Sequence, residues 1–483
     1  MRSPTDGHEI PNRSPLELNF ELIREISGYV TEKIIAHLGS LAQQPLSDFD
    51  DIESFVASFR EEIPESGESF QSLIDRVFDH AASRGYNSAA PGYMAYVPGG
   101  GIVHAGFADL ISDAINRYVG LWLAAPGLVE IESSVIRWFC EIVGYPQWSG
   151  GFLSTGGSLA NFSALFTARR TKLPGDFLRG TVYASEHTHH SVLKAAILIG
   201  LPEANFRWIR VDSVCRIDLG SLRAQIREDR RLGFHPFAVV ANAGTTNTGA
   251  IDDLNEIAEI SLEENLWMHV DAAYGGFFML TERGRHRLTG IDRADSITLD
   301  PHKGLFLPYG TGCLLVRDRR HLKQAHEIQA SYLPPMQDDP ERIDFCQISP
   351  ELSRDFRGLR IWLPLKMHGI GAFRELLDEK LDLAIWAAEQ LEKLESIEVL
   401  QNPELSVVAF RLRDTGMALN EANELTRVLL ERINSFRRVL LSGTWIEQKF
   451  VIRVCILSFR THQEQVKNCL RDIERALGEV RSG

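Results

Sequence analysis

The sequence predicts an α/β fold built on a mostly parallel sheet, and three observations carry that prediction. From about residue 100, short apolar runs rich in β-branched residues alternate with helical patterns. That alternation calls for crossover connections, which join parallel strands. Chemistry-bearing residues follow several of the runs directly, and parallel sheets place their ligands at the carboxyl ends of strands.

Five runs read as buried strands: TVYAS (181–185), FAVVANAG (237–244), LWMHVDAAYGG (266–276), SITLDPHK (296–303) and GCLLVRD (312–318). Patterns such as LNEIAEISLEEN supply the helices between them. Residues 16–40 show helical apolar spacing and a Gly-Ser stop, and SFQSLIDRVFDHAAS is a second amphipathic stretch. After a long helical stretch near 370–395, LSVVAFRL and KFVIRVCILS predict strands, and QEQVKNCLRDIERALGEV a final helix. The expected organisation is a helical arm over 1–95, a large domain over 96–378 and a small α+β domain over 379–483.

A formal net charge of −14 without a long basic run argues against a nucleic-acid binder. No stretch approaches the roughly 18 apolar residues of a membrane span, and the polar amino terminus lacks a secretory signal. The six cysteines are scattered, with no Cys-x-x-Cys pair. Free thiols in a reducing cytoplasm fit them better than a disulfide frame or zinc site.

Four motifs bear chemistry. In LSTGGSLANFSALFTARR, Gly156, Gly157 and Ser158 run straight into a helical pattern. Such a start cradles an anion, although it is also an ordinary capped helix start. No Lys-Ser/Thr follows the glycines, so the nucleoside-triphosphate loop pattern fails. Asp271 ends a run and precedes small residues, so a flat ligand carrying a protonated ring nitrogen suits it; an acid there also caps helices. Lys303 follows SITLDPH, beside Asp300 and His302, and as a nucleophile it needs a lowered pKa. His187, His189 and His190 would not converge on a metal without further carboxylates, so none is expected; one imidazole is read as stacking on an aromatic ring. An anion cradle, a stacking ring, an acid for a ring nitrogen and a Schiff-base lysine together describe a site for pyridoxal 5′-phosphate.

With PGYMAYVPGGG, HVDAAYGG, DPHKG, DFRGLRIWLPLKMHG and KFVIRVCILSFRT, the chain resembles the group II pyridoxal-phosphate-dependent amino-acid decarboxylases, the aromatic L-amino-acid decarboxylase family, over nearly its whole length. The resemblance implies fold type I: a large seven-stranded-type sheet domain, a helical arm and a small C-terminal domain. It implies a homodimer with shared active sites, clasped by the arm. It makes Lys303 the Schiff-base lysine, Asp271 the partner of the pyridine nitrogen, Ala273 a ring contact and His189 the stacking ring. Gly156, Gly157, Ser158, Thr246, Asp300 and His302 fall at the rest of the cofactor site, and Tyr96, Val97 and Gly99 at the substrate entrance. Tyr332, in a loop expected over 329–345, stands where family members carry a tyrosine that helps protonate the reacting carbon.

The expected reaction is decarboxylation of an L-amino acid, aromatic first, with acidic substrates as the alternative. An aminotransferase would want a guanidinium on the substrate carboxylate, and Arg453 is the residue to watch. An aldehyde synthase is associated in this family with phenylalanine at the loop tyrosine. Arg117 is the candidate cation for an acidic side chain, its other reading being a surface or interface residue. Gly304 replaces a frequent tryptophan and Asp300 an asparagine of the animal enzymes, which implies a roomier or differently shaped pocket.

Overall fold

The computed structural model describes residues 14, 16–173, 175–328, 331, 334, 336–337, 339, 341–414 and 416–482. Its packing separates the chain after Ala90. In the first unit, helix α1 (Phe20–Ser40) starts where the Asn19 side chain accepts the Leu22 N–H at 2.8 Å, an N-cap that fixes the first turn. No residue of α1 is buried. The amphipathic stretch near 70–83 is helical but uneven: Phe70–Asp75 is α-helical, Arg76–His80 widens to a π turn and Ala81–Ser83 tightens to a 3₁₀ turn.

The second unit contains the expected sheet. Its seven strands are β1 (Gly150–Ser154), β2 (Gly180–Ser185), β3 (Phe206–Ile209), β4 (His235–Asn242), β5 (Trp267–Asp271), β6 (Ser296–Leu299) and β7 (Gly312–Val316). They lie in the order β1-β7-β6-β5-β4-β2-β3. Neighbours from β3 through β6 are parallel, and β7 runs antiparallel to both β1 and β6. The central strands are buried on both faces, as helix-covered parallel sheets must be. Val239 and Ala241 of β4 feed one apolar core, while Ala238 and Val240 feed the core on the opposite face.

Two expected runs end early. The strand in LWMHVDAAYGG stops at Asp271, and that in SITLDPHK stops at Leu299. Pro301 has no N–H to give the sheet and instead opens a single helical turn, Pro301–Gly304. Two strands of the sheet lie outside the expected runs. β1 reads GGFLS, whose glycines break the β-branched signature, and β3 has four residues and a partly exposed face.

Helix α2 (Val103–Ile115) and helix α3 (Pro126–Ile142) precede the sheet, and α4 (Gly157–Lys172) follows β1. Helix α5 (Gly358–Glu392) crosses the expected domain boundary at 378/379. Its early residues Ile361, Leu365 and Leu377 pack in the large-sheet core; Leu383, Ala384 and Leu391 pack under a second sheet. That sheet is antiparallel, with β8 (Ile397–Val399), β9 (Val407–Leu412), β10 (Ser442–Ile446) and β11 (Lys449–Cys455) in the order β8-β9-β11-β10.

A buried ion pair fixes the strand that leads to the glycine turn. Arg354 meets Glu132 at 2.6 Å with both side chains fully buried, and Arg354 and Arg357 each donate to the Leu153 carbonyl at 3.1 Å. Removing one partner of such a pair strands a buried charge and costs about 3–5 kcal/mol.

Burial holds two imidazoles neutral: His269 and His326 are each lowered from 6.5 to about 4. The unfolded chain therefore binds more protons between pH 6.5 and 4, so stability is lost as pH falls through that window. Each imidazole contributes up to about 3 kcal/mol of that loss. Asp252, pushed up to about 6 by burial, works in the opposite sense between about pH 4 and 6. We expect urea midpoints to fall from pH 7 to pH 4, and His326→Gln to flatten that slope.

Candidate active site

The sheet register brings the polar residues together. Side chains alternate along a strand, so His269 and Asp271 share one face of β5. Ser296 pairs beside His269 and Thr298 beside Asp271 on β6. Helix α4 lies against this face, and Gly157 and Asn161, four residues apart, share the side that meets it. Asn161 donates to Asp271 Oδ2 at 3.0 Å and to Ser191 Oγ at 3.1 Å. Its carbonyl oxygen accepts from Thr298 Oγ1 at 2.7 Å and lies 2.9 Å from His269 Nε2. Asp271 Oδ1 accepts the Ala273 N–H at 3.2 Å.

These groups border a cavity of about 290 Å³ at the carboxyl ends of the strands. Of the residues expected for the cofactor, Gly156, Gly157, Ser158, His189, Thr246, Asp271, Ala273, Asp300, His302 and Lys303 all line it. Asn161, Ser191, Asn242 and Tyr274 line it too, and sequence reasoning had not singled them out. For Asn161 a signal was present, since it follows Gly157 by one helical turn.

The glycine turn is shaped by close approach. A Cβ on Gly157 would stand 3.0 Å from Asp300 Oδ2 and 3.3 Å from Ala273 Cβ. Gly157 and Ser158 open α4, where first-turn N–H groups have no partner inside the helix. Opposite them, Lys303 Nζ lies 3.0 Å and His302 Nε2 3.6 Å from Asp300 Oδ2, while the His302 Nδ1 donates to the Thr311 carbonyl at 2.6 Å. Asp300 Oδ1 is buried without a hydrogen-bond partner among the described residues.

Lys303 does not follow the expected depression. Burial pulls its pKa down, but the charges of Asp300 and Asp271 outweigh that pull and the net direction is upward. The pair with Asp300 thus favours the ammonium form of the lysine. His189 moves the other way: burial lowers it, against the opposing charge of Asp271.

The other histidines of the cluster serve elsewhere. His187 Nδ1 pairs with Asn247 at 3.2 Å, and the exposed His190 packs its ring 4.3 Å from that of His189. Tyr96, Val97 and Gly99 stand outside the cavity lining. Tyr96 is exposed, and Gly99 lies against the Lys303 turn, where a Cβ would come within 2.0 Å of the His302 carbonyl oxygen. Tyr332 lies outside the described residues. Gly304 leaves no extra room: a Cβ there would meet Phe277 Cβ at 2.7 Å, so this buried phenylalanine fills the space. Arg453 is fully engaged, donating to the Asn247 carbonyl, Ser442 Oγ and the Tyr96 carbonyl at 3.0, 3.0 and 3.2 Å. Arg117 is exposed and does not line the cavity.

The donor set fits pyridoxal phosphate. It offers an amine for an aldehyde, a buried carboxylate for a ring nitrogen, an imidazole for a ring face and free helix N–H groups for a phosphate. The Gly157 approach matters to that fit, because any larger residue would close the cradle from its floor.

Residues 53–413 match the model of the pyridoxal-dependent decarboxylase conserved domain. An aromatic-L-amino-acid decarboxylase of Bacillus atrophaeus is 35% identical over 467 residues, covering 96% of this chain and 97% of its own. A 4-hydroxyphenylacetaldehyde synthase of Rhodiola rosea is 26% identical over 492 residues, covering 99% of both chains. Among solved structures, the tryptophan decarboxylase of Catharanthus roseus in complex with L-tryptophan is similar with a TM-score of 0.90 at 25% identity, over 97% of this chain and 100% of that one.

The Gly99 contact yields a test. Gly99→Ala should cost about 1–3 kcal/mol of stability, because the new methyl collides with backbone that cannot swing away. It should also displace the Lys303 turn, so melting curves with and without added pyridoxal phosphate should converge in the variant.

Proposed function

The chain belongs to the pyridoxal-phosphate-dependent amino-acid decarboxylases of group II, the aromatic L-amino-acid decarboxylase family, and from that premise we propose that its substrate is an aromatic L-amino acid, released as the amine and carbon dioxide. The observation that carries this reading is the 35% identity over 96% of the chain to an aromatic-L-amino-acid decarboxylase, and the charge around the cavity agrees with it. Among the described residues lining the cavity, Lys303 is the single lysine or arginine. An acidic substrate side chain would need a further cation there, and a transaminase would want a guanidinium for the carboxylate. Arg453, the candidate for that clamp, is spent on structural bonds. The aromatic substrates named for the relatives from Bacillus atrophaeus and Catharanthus roseus support the same choice.

In this reading Lys303 anchors the cofactor and Asp271 pairs with its ring nitrogen. His189 and Ala273 would face the ring, Gly156, Gly157 and Ser158 would hold its phosphate, and Thr246 and His302 line the same cavity. Bound pyridoxal phosphate supplies an aldehyde that captures the substrate amine and a ring that takes up the electron pair freed when carbon dioxide leaves. The protein's own part is orientation and proton control. Leaving the substrate carboxylate without a charged clamp avoids stabilising the ground state that has to be lost. His189, favoured in its neutral form by burial, assists by orientation rather than as the acid. Tyr332 is assigned the delivery of a proton to the reacting carbon.

Assembly as a homodimer with shared sites is part of the proposal. Val103, Phe107, Leu110, Ile111 and Ile115 form an exposed apolar stripe along α2. Leu16, Leu18, Phe20 and Ile23 are exposed at the start of the arm. Stripes of this kind mark interfaces, and a second copy is the occupant proposed. Six free thiols support a reducing, cytoplasmic setting. No described helix is long and apolar enough to cross a membrane. We assign residues 1–95 to the arm, 96–378 to the cofactor domain and 379–483 to the small domain.

The 4-hydroxyphenylacetaldehyde synthase among the relatives favours one second reading, oxidative deamination to an aldehyde. Tyr332 favours the simple decarboxylase, following the association of the synthase activity with phenylalanine there. Both readings meet in one assay of carbon dioxide, amine, aldehyde and oxygen uptake with tryptophan, tyrosine, dopa and glutamate. The expected result is carbon dioxide and amine from aromatic substrates alone, lost by at least a thousandfold in Lys303→Ala. Tyr332→Phe should shift product from amine to aldehyde with oxygen consumed. Carbon dioxide from glutamate, or amino transfer without carbon dioxide, would overturn the assignment. For assembly, light scattering should give a dimer, and Phe107→Glu with Ile111→Glu should drive it to monomer.

A further inference from the structure

The hydrogen bonds behind the cavity have a direction that donor chemistry fixes. Trp267 Nε1 can only donate, and its partner at 2.8 Å is Ser296 Oγ. At the other end Asp271 Oδ2 only accepts, so the Asn161 amide nitrogen faces it and the amide oxygen faces His269 Nε2 at 2.9 Å, which must donate. The proton of this neutral ring is therefore on Nε2, and Nδ1 accepts from Ser296 Oγ, also at 2.8 Å. Thr298 Oγ1 donates to the Asn161 oxygen at 2.7 Å. With its oxygen doubly occupied, Asn161 has its amide hydrogens for Asp271 Oδ2 and Ser191 Oγ.

The second branch ends on His189. Ser191 Oγ receives the Asn161 proton and lies 2.8 Å from His189 Nδ1. The Ser191 backbone N–H, a donor without alternative, points at the same Nδ1 at 3.3 Å. The backbone contact needs a lone pair there, and the hydroxyl then donates to the same atom. His189 Nδ1 is thus an acceptor, and the proton of the neutral ring sits on Nε2. Trp267, Ser296 and His269 are buried behind the cavity, where water does not compete for their bonds, and Asn161, Asp271 and Ser191 are buried at its wall.

We infer that Asn161 is a positioning residue that joins the ring-nitrogen acid and the stacking imidazole into one unit, holding Asp271 oriented and His189 in the tautomer that carries its proton on Nε2. His269 is its buried support. The inference rests on the cofactor reading for its functional consequence: the group that pairs with the ring nitrogen and the group that covers the ring are set by one amide. An error at Asn161 reaches both. The tautomer itself is a property of the free protein.

The test uses full-length protein with ¹⁵N-labelled histidine, with His189→Gln identifying the His189 signals. In cofactor-free wild type the His189 pattern should be that of an Nε2–H tautomer. In Asn161→Leu it should become a tautomer mixture. The dissociation constant for pyridoxal phosphate, read by fluorescence titration, should rise about tenfold to a hundredfold, the worth of a hydrogen bond to a charged group. The pH dependence of the cofactor absorbance should shift with it, which simple loosening of packing would not do. Where Asn161→Leu fails to fold, His269→Gln and His269→Leu decide. The glutamine can still donate to Asn161 and should rescue affinity and spectrum, while leucine should not.

An Nδ1–H tautomer in wild type would overturn the inference. So would a folded Asn161→Leu with wild-type His189 signals and cofactor affinity, or equal behaviour of the two His269 variants. Failure of the wild type to take up pyridoxal phosphate would strike the cofactor reading instead, and the tautomer measurement would still stand.

Discussion

A carboxylate buried at the end of a parallel strand is the constraint on which the rest of this site depends. Asp271 is 8% exposed, and a carboxylate taken from water needs donors on both oxygens. One donor is local, the Ala273 N–H, which the chain supplies by turning immediately after the strand. The other is remote, the Asn161 amide, which arrives only because α4 crosses the face of β5. The amide in turn needs acceptors and donors of its own. That requirement recruits His269, Ser191, Ser296, Thr298 and Trp267, until every group has a partner.

The second charge system, at Lys303, is built differently. Its carboxylate partner, Asp300, stands three residues away on the same turn, so the pair needs no tertiary assembly to meet. Tertiary structure decides only that the pair is enclosed. The enclosure comes from close backbone contact: Gly99 against the His302 carbonyl, Gly157 against Asp300, and Gly304 against Phe277. Three glycines that look interchangeable in the sequence thus do the same job from three directions. None of them enlarges the cavity.

Much of the site was legible in advance because its members are strand-end residues in motifs. Asp271 and Lys303 follow apolar runs, and the glycine turn precedes a helical pattern, so each could be placed on the same edge of the sheet. The edge strands were less legible. GGFLS and FRWI are short, glycine-bearing or half-exposed, and their pairing partners rather than their own side chains hold them in the sheet. The substrate side was least legible. Gly99 lies against the Lys303 turn, yet neither it nor Tyr96 nor Val97 lines the cavity, a distinction that no local pattern encodes.

By itself, the sequence determined the fold class, the cofactor chemistry and the residues that the fold gathers around one cavity, because periodicity and motif order are local properties of a chain. Only the tertiary structure decided which polar side chains stand behind those residues and which way their protons run. Asn161 and Asp271 are 110 positions apart, and nothing short of the crossing of α4 over β5 brings them within 3.0 Å. The same holds for Arg453, which in the sequence could serve as a carboxylate clamp and is bound in three places in the fold. Hydrogen-bond satisfaction is a property of a closed interior, and a chain acquires it only when it folds.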